Sequence, residues 1–375
     1  MSIRGNLEGF GLILAPLKLI KKGSHMIKKG SKILGHEVVK KVRNVKESLY
    51  LNKLPYKKIE DIKLNDEINQ LITITDKRLC VLQPNRLLIY NYNMKKIDIT
   101  ILIRSNKIIS LPNNKILPEL IEKQNLLIYQ IDNNYYKIVQ EIKRHYEHSF
   151  IQFFSYSKLY INESTPFIKD FVSIYRDLNN NYDIQINIYF NSKNKNNTIV
   201  NILELIEKNL LAIQEYYSLI YFYHLETYEL ISKIDFSYVQ NLITENSIGP
   251  CCKISEDKIG IPSFGGYIII GDLDYFLPIE TIKVNKSRTI SKIIKFSDGR
   301  FFSIEQYNQE EKIGFERPVV LQWKYDDDKF ELVGNLSFNI THIKPITNFI
   351  ELYNKNIALT FSGKKKIRIY SLNEQ

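Results

Sequence analysis

The sequence predicts an all-β fold, a seven-bladed β-propeller of four-stranded antiparallel blades, preceded by a basic, partly helical N-terminal extension. Three observations lead there. A short apolar run ending in an aromatic residue, then a polar turn and a second β-rich run, recurs seven times, as in LLIYNYNMKKIDITI from Leu87 and VSIYRDLNNNYDIQINI from Val172. The residue before each turn (Tyr90, Tyr129, Tyr175, Tyr223, Gly271, Trp323 and Tyr370) recurs at steps of 39, 46, 48, 48, 52 and 47 residues, near the roughly 40–45 of a four-stranded blade. The runs are short and dominated by β-branched and aromatic side chains, which suits strands better than helices.

From the N-terminus, residues 1–46 stand apart. They hold eleven Lys and Arg against two Glu, a net +9 of the chain's +11, and leave the remaining residues nearly neutral. Leu34, Val38, Val42 and Val45 follow helical spacing while Lys32, Lys40, Lys41 and Arg43 lie mostly off that face, which predicts an amphipathic basic helix. The apolar run Gly9–Leu17 is roughly half the ~20 residues of a membrane span, so no transmembrane helix is predicted.

The propeller is assigned to residues 47–375. With the chain ending five residues after Tyr370, the seventh blade has room for three strands, and an unpaired edge would remain. Residues 56–64, YKKIEDIKL, are the candidate closing strand, with a plain lead-in loop as the competing reading. Within each blade the inner and middle strands are expected to be apolar on both faces, because a four-stranded sheet buries them only against its neighbours. LLIY and YIIIG have that character.

The repeat resembles that of the WD-repeat propellers, most clearly at Tyr223-His224-Leu225-Glu226-Thr227, which stands where that family carries its Trp-Asp pair and turn. The resemblance spans about residues 47–375 and implies a ring whose last blade borrows its outer strand from the N-terminal side. Only Trp323 keeps the tryptophan, only Gly271-Asp272 keeps the aspartate, and the Gly-His pair that opens a typical repeat is absent. A basic helix before a seven-bladed ring is also similar to G-protein β subunits, in layout alone.

Signatures of chemistry are sparse. Cys80, Cys251 and Cys252 offer neither a disulfide framework nor metal spacing, which points to a reducing compartment. His145 and His148 lack further ligands, and Asp326-Asp327-Asp328 lacks the oxygen donors of a calcium loop. Ser362-Gly363-Lys364-Lys365-Lys366 lacks phosphate-loop spacing and reads as a solvated turn. Phe315-Glu316-Arg317-Pro318 has one arginine where phosphoinositide-binding propellers pair two.

Loops joining second to third strands, and one blade to the next, emerge on one face of a propeller. Those at Glu163–Lys169, Asn191–Thr198 and Gln306–Arg317 are long, and Phe167, Phe264, Tyr307, Phe315 and Arg317 are the candidate partner contacts. Lys18, Lys21, Lys22, Lys28, Lys29, Lys32, Lys40, Lys41 and Arg43 are the candidate tether to an anionic membrane or an assembly. The expectation is a cytoplasmic, non-enzymatic protein-interaction scaffold without cofactor or metal and without a nucleic-acid motif. The alternatives are a structural subunit of an organelle complex or viral particle, an enzyme with a site on the propeller axis, and, for the extension, membrane association or mitochondrial import.

Overall fold

Each of the seven repeats forms one antiparallel sheet, and the seven sheets close into a ring. The computed structural model describes residues 42–45, 52–74, 78–120, 125–143, 148–155, 158–164, 171–178, 181–189, 199–215, 219–236, 249–263, 265–284, 288–307, 318–336 and 344–372. Among the described residues three strands precede β4: β1 (Val42–Asn44), β2 (Lys53–Leu54) and β3 (Tyr56–Lys63). Blade one comprises β4 (Gln70–Ile74), β5 (Arg78–Gln83), β6 (Arg86–Asn91) and β7 (Lys96–Ile101). Blade two follows as β8 (Ser105–Leu111), β9 (Lys115–Leu120), β10 (Asn125–Ile131) and β11 (Tyr136–Lys143). Blade three is β12 (His148–Ser155), β13 (Lys158–Ser164), β14 (Phe171–Leu178) and β15 (Asn181–Tyr189). Blade four is β16 (Ile199–Leu205), β17 (Leu210–Glu215), β18 (Leu219–His224) and β19 (Leu230–Asp235). Blade five is β20 (Cys252–Lys253), β21 (Lys258–Pro262), β22 (Tyr267–Asp272) and β23 (Leu277–Lys283). Blade six is β24 (Arg288–Lys295), β25 (Phe301–Tyr307), β26 (Val319–Asp326) and β27 (Lys329–Leu336). Blade seven joins β28 (Ile346–Glu351), β29 (Ile357–Phe361) and β30 (Lys366–Leu372) to β3, which pairs antiparallel with β30 from Tyr56↔Leu372 to Lys63↔Lys366.

The hydrophobic core is divided into seven clusters, one at each junction between neighbouring blades. This is the expected solution for sheets that are apolar on both faces. The repeat anchors occupy one equivalent place in it. Tyr129 packs with blade one, Tyr175 with blade two, Tyr223 with blade three, Trp323 with blade five, Tyr370 with blade six and Tyr90 with blade seven. In all seven blades the register with the outermost strand slips at the anchor, so that the outer strand carries one extra residue there: Asp98 opposite Tyr90, Val333 opposite Trp323, Ile59 opposite Tyr370. A bulge strengthens the local twist, which radial packing of the blades requires. Gly271 is the exception in residue type. A Cβ there would lie 3.1 Å from Ile259 Cγ1, and the aromatic volume at that junction comes instead from Phe276, whose ring centroid is 5.0 Å from that of Phe222.

Side-chain amides clamp the backbone of one blade to the next. Gln70 Nε2 donates to Ile108 O at 3.0 Å while its Oε1 accepts from Ile108 N. Gln140 does the same with Tyr182, at 3.0 and 2.9 Å. Fully buried Gln214 donates to Gly249 O and accepts from Cys251 N, both at 2.8 Å. The clamps from Gln70 and Gln214 satisfy backbone groups at the inner edge and the one from Gln140 those of an outer strand, groups that burial would otherwise leave without partners.

At its described end, residues 42–45, the N-terminal segment is extended rather than helical. Val42–Asn44 add to blade five as a parallel strand on β23, Val45 N donates to Lys283 O at 3.0 Å, and Val45 packs into the cluster between blades five and six. Spacings of three and four residues suit one face of a helix, but Val42 and Val45 are used by a sheet edge instead. Lys53–Leu54 then add to β27 of blade six, again in parallel, before β3 closes blade seven. The described segments 42–45 and 52–63 thus lie as a strap along the outer edges of three successive blades. Leu34 and Val38, the rest of the helical pattern, lie outside the described residues.

Candidate functional site

Most of the loop candidates fall outside the described residues: Phe167, Phe264, Phe315 and Arg317, together with Lys18, Lys21, Lys22, Lys28, Lys29, Lys32, Lys40 and Lys41. Two are placed by their backbone. Tyr307 is the last residue of β25, paired with Arg288, rather than part of a loop, and Arg43 pairs with Ile282 in β1.

The other motifs resolve into structure. Asp327 and Asp328 form the turn between β26 and β27, and Asp328 Oδ1 lies 3.3 Å from Lys258 Nζ of blade five, an inter-blade tie. Burial pushes the Cys251 thiol up to about 12 and the Cys252 thiol to about 11, and raises Cys80 further, so none is a thiolate at neutral pH. Lys107 and Lys292, on the innermost strands of blades two and six, are both pushed below the usual lysine value by enclosure in the ring, and Lys107 also senses the charge of Lys292.

The feature that sequence reasoning passed over is a pocket of about 310 Å³ at the seam of the ring. Its cationic lining is Lys63, from the end of β3, with Lys364, Lys365, Lys366 and Arg368, from the turn before β30 and the strand itself. Leu64 and Phe361 supply its apolar surface, and the Arg368 guanidinium carbon lies 5.2 Å from the centroid of the Phe361 ring. Leu64 N donates to Lys365 O at 2.8 Å, which ties the two chain segments together beneath it. Gly363 shapes the turn with φ +62°, and a Cβ on it would stand 2.7 Å from Lys344 Nζ and 3.5 Å from Glu67 Oε1. Asp61 compensates part of the charge: its Oδ2 lies 2.8 Å from Lys366 Nζ and 2.9 Å from Lys58 Nζ. Burial works to raise its carboxyl, but the hydrogen bonds from Lys366 and Lys58 prevail and hold it below the usual carboxylate range. Lys63, Lys364, Lys365 and Arg368 have no carboxylate partner among the described residues. Ser362–Lys366 is thus a turn, as expected, but one that walls a pocket. No sequence pattern joins Lys63 to Lys364; only the closing strand does.

A second feature lies on the outside of the ring. The outer strands of blades one to four carry no further strand among the described residues, whereas blades five and six are covered by the strap. On β11 and β15 these edges show Tyr136, Ile138 (53% exposed), Val139, Ile184 (45%), Ile186 and Tyr189 (60%).

Comparison with protein-family models and with curated proteins finds no match. The fold is accordingly established by the seven sheets and their junctions. Among the described residues no helix is long and apolar enough to cross a membrane.

Proposed function

We propose that this propeller is a non-enzymatic interaction scaffold that receives an extended segment of a partner protein along the outer edges of blades two and three. The supporting observation is the contrast around the ring. Blades five and six add extended strands from the chain's own strap, whereas β11 and β15 present the same kind of edge with exposed isoleucine, valine and tyrosine. Unpaired backbone groups beside apolar side chains are what strand addition uses, the backbone for affinity and alternate side chains for specificity. In this reading the basic residues before Val42 are a tether to an anionic membrane or a larger assembly, leaving the ring beside blade five. The loop candidates Phe167, Phe264, Phe315 and Arg317, with Tyr307 at the end of β25, are a further docking face on the same scaffold.

The blades also fit a divergent WD-like repeat. In that family an aspartate follows the anchor, and here Asp272 Oδ1 accepts from Asp274 N and Tyr275 N at 2.8 and 2.9 Å. Asn91 Oδ1 accepts from Met94 N at 3.1 Å, and His224 Nδ1 from Thr227 N at 3.2 Å, so three residue types serve one turn-capping role.

The test is comparative affinity purification from the source cell with the intact chain, a chain starting at Val42, and an Ile138→Lys/Ile184→Lys variant. Starting at Val42 spares β1. The scaffold reading expects one set of partners lost with the edge variant and another with the truncation. Identical partner sets in all three would overturn it.

A further inference from the structure

We infer that the pocket at the seam binds a small organic polyphosphate, a sugar- or cyclitol-sized body bearing two or more phosphoryl groups. This is independent of what the outer edges bind. Four cationic side chains that have no carboxylate partner among the described residues converge on one concavity, where they repel one another until an anion enters. Guanidinium and ammonium groups together suit phosphate, the first through its planar fork and the second as a mobile point charge. The volume of about 310 Å³ lies at the small end of ligand pockets, which run roughly 300–1,000 Å³, so it suits a compact ligand rather than a length of peptide. Phe361 and Leu64 give the carbon body an apolar surface, while the cations stand where phosphoryl groups would project. Among the described residues the carboxylate paired with a pocket cation is Asp61, which engages Lys366 and Lys58 and none of the other four.

The position of the pocket gives binding a structural consequence. Lys63 and Leu64 come from one end of the propeller sequence and Lys364–Arg368 from the other, and they meet only when β3 is paired with β30. A polyphosphate bridging them binds the closed ring and not an opened one, so by linkage it stabilises the seam.

The experiment uses the full chain, with inositol hexakisphosphate and a sugar bisphosphate as soluble probes, followed by calorimetric titration and thermal unfolding. The expected result is saturable binding that weakens as salt rises, with an increase in melting temperature. Lys364→Ala/Lys365→Ala should weaken binding by about tenfold or more, since hydrogen bonds to charged groups contribute about 1.5–3 kcal/mol each. Lys364→Arg/Lys365→Arg should retain it. Lys63→Gln, on the other chain segment, is the second variant, and it too should weaken binding if the alanine pair disturbs folding. Phosphatidylcholine vesicles with about 5% phosphatidylinositol bisphosphate separate the two sources of this chemistry, because headgroup recognition shows flotation lost with the same variants. The inference is overturned if neither soluble probe nor vesicle binds, if binding survives both Lys364→Ala/Lys365→Ala and Lys63→Gln, or if sulfate at equal ionic strength gives the same thermal shift.

Discussion

Asn348 Oδ1, on the innermost strand of the last blade, accepts a 3.0 Å hydrogen bond from Leu71 N on the innermost strand of the first, 277 residues away in sequence. The same side chain donates to Thr360 Oγ1 at 2.7 Å within its own blade. Near the axis the seam is fastened by this amide, outside it by the β3–β30 ladder, and between them by the core that joins blades seven and one. Asn348→Ala leaves a buried backbone N–H without a partner, at a cost of about 1–3 kcal/mol. The expected outcome is a lower urea midpoint with an unchanged denaturant slope, because the folded ring and the surface it buries stay the same. A midpoint equal to wild type would show that the amide adds nothing to what the β3–β30 ladder and the core between blades seven and one already supply.

The strap makes a graded prediction. Beginning the chain at Val42 should leave the melting temperature unchanged if the basic segment is a tether. Beginning it at Lys53 removes β1 and should lower it modestly. Beginning it at Leu64 removes Ile62 from the core between blades seven and one, exposes the edge of β30, and should produce aggregation as well as a lower melting temperature. Gly334 offers a point-substitution version, because a Cβ there would stand 2.7 Å from Asn52 O, where the strap crosses blade six. Gly334→Ala should displace β2 without unfolding blade six, and hydrogen exchange at Asn335 N, which donates to Asn52 O at 2.7 Å, should rise.

What the sequence revealed follows from what repeats. The anchors and their turns were legible because third strands are covered on both faces and their apolar runs stand out in a polar chain. The outer strand of the last blade was legible from an unpaired edge that needed a partner. The bulge opposite every anchor was not, because it exists only as an offset between two strands. The strap was misread at Val42 and Val45, where three residues of strand carry too little alternation to oppose a helical spacing. The seam pocket was hidden for a topological reason: Lys63 and Lys364 are neighbours only once the ring is closed.

Trp323 is the chain's single tryptophan, and inside blade six its Nε1 donates to Ser303 Oγ at 2.8 Å while its ring stacks on Phe330 at 5.1 Å between centroids. Ser303→Ala strands a buried indole N–H and should cost about 1–3 kcal/mol. Trp323→Phe in the Ser303→Ala background should cost less than in wild type, since the donor and its acceptor then leave together. Unfolding followed by circular dichroism in all four proteins closes the cycle. Additive losses would show that packing against Phe330, and not the hydrogen bond, accounts for what Trp323 contributes at this anchor.

The ion pairs of Asp61 give a pH prediction whose sign follows from its depressed folded-state pKa. A carboxyl that is more acidic in the folded chain stabilises it fully above the unfolded value of about 3.9, and the contribution disappears as pH falls through the lower folded-state value. Wild type should therefore exceed Asp61→Asn in stability at neutral pH by an amount on the order of 1 kcal/mol, between an exposed ion pair and a buried charged hydrogen bond. The gap should close in acid, where the protonated aspartic acid resembles asparagine. Other carboxylates held below their usual range, such as Asp257 and Asp298, titrate in both proteins and cancel in the comparison. Urea midpoints measured from neutral pH into acid decide the matter. A gap that persists below the folded-state value would assign the loss to the geometry of the β3–β30 pairing rather than to the charge on Asp61.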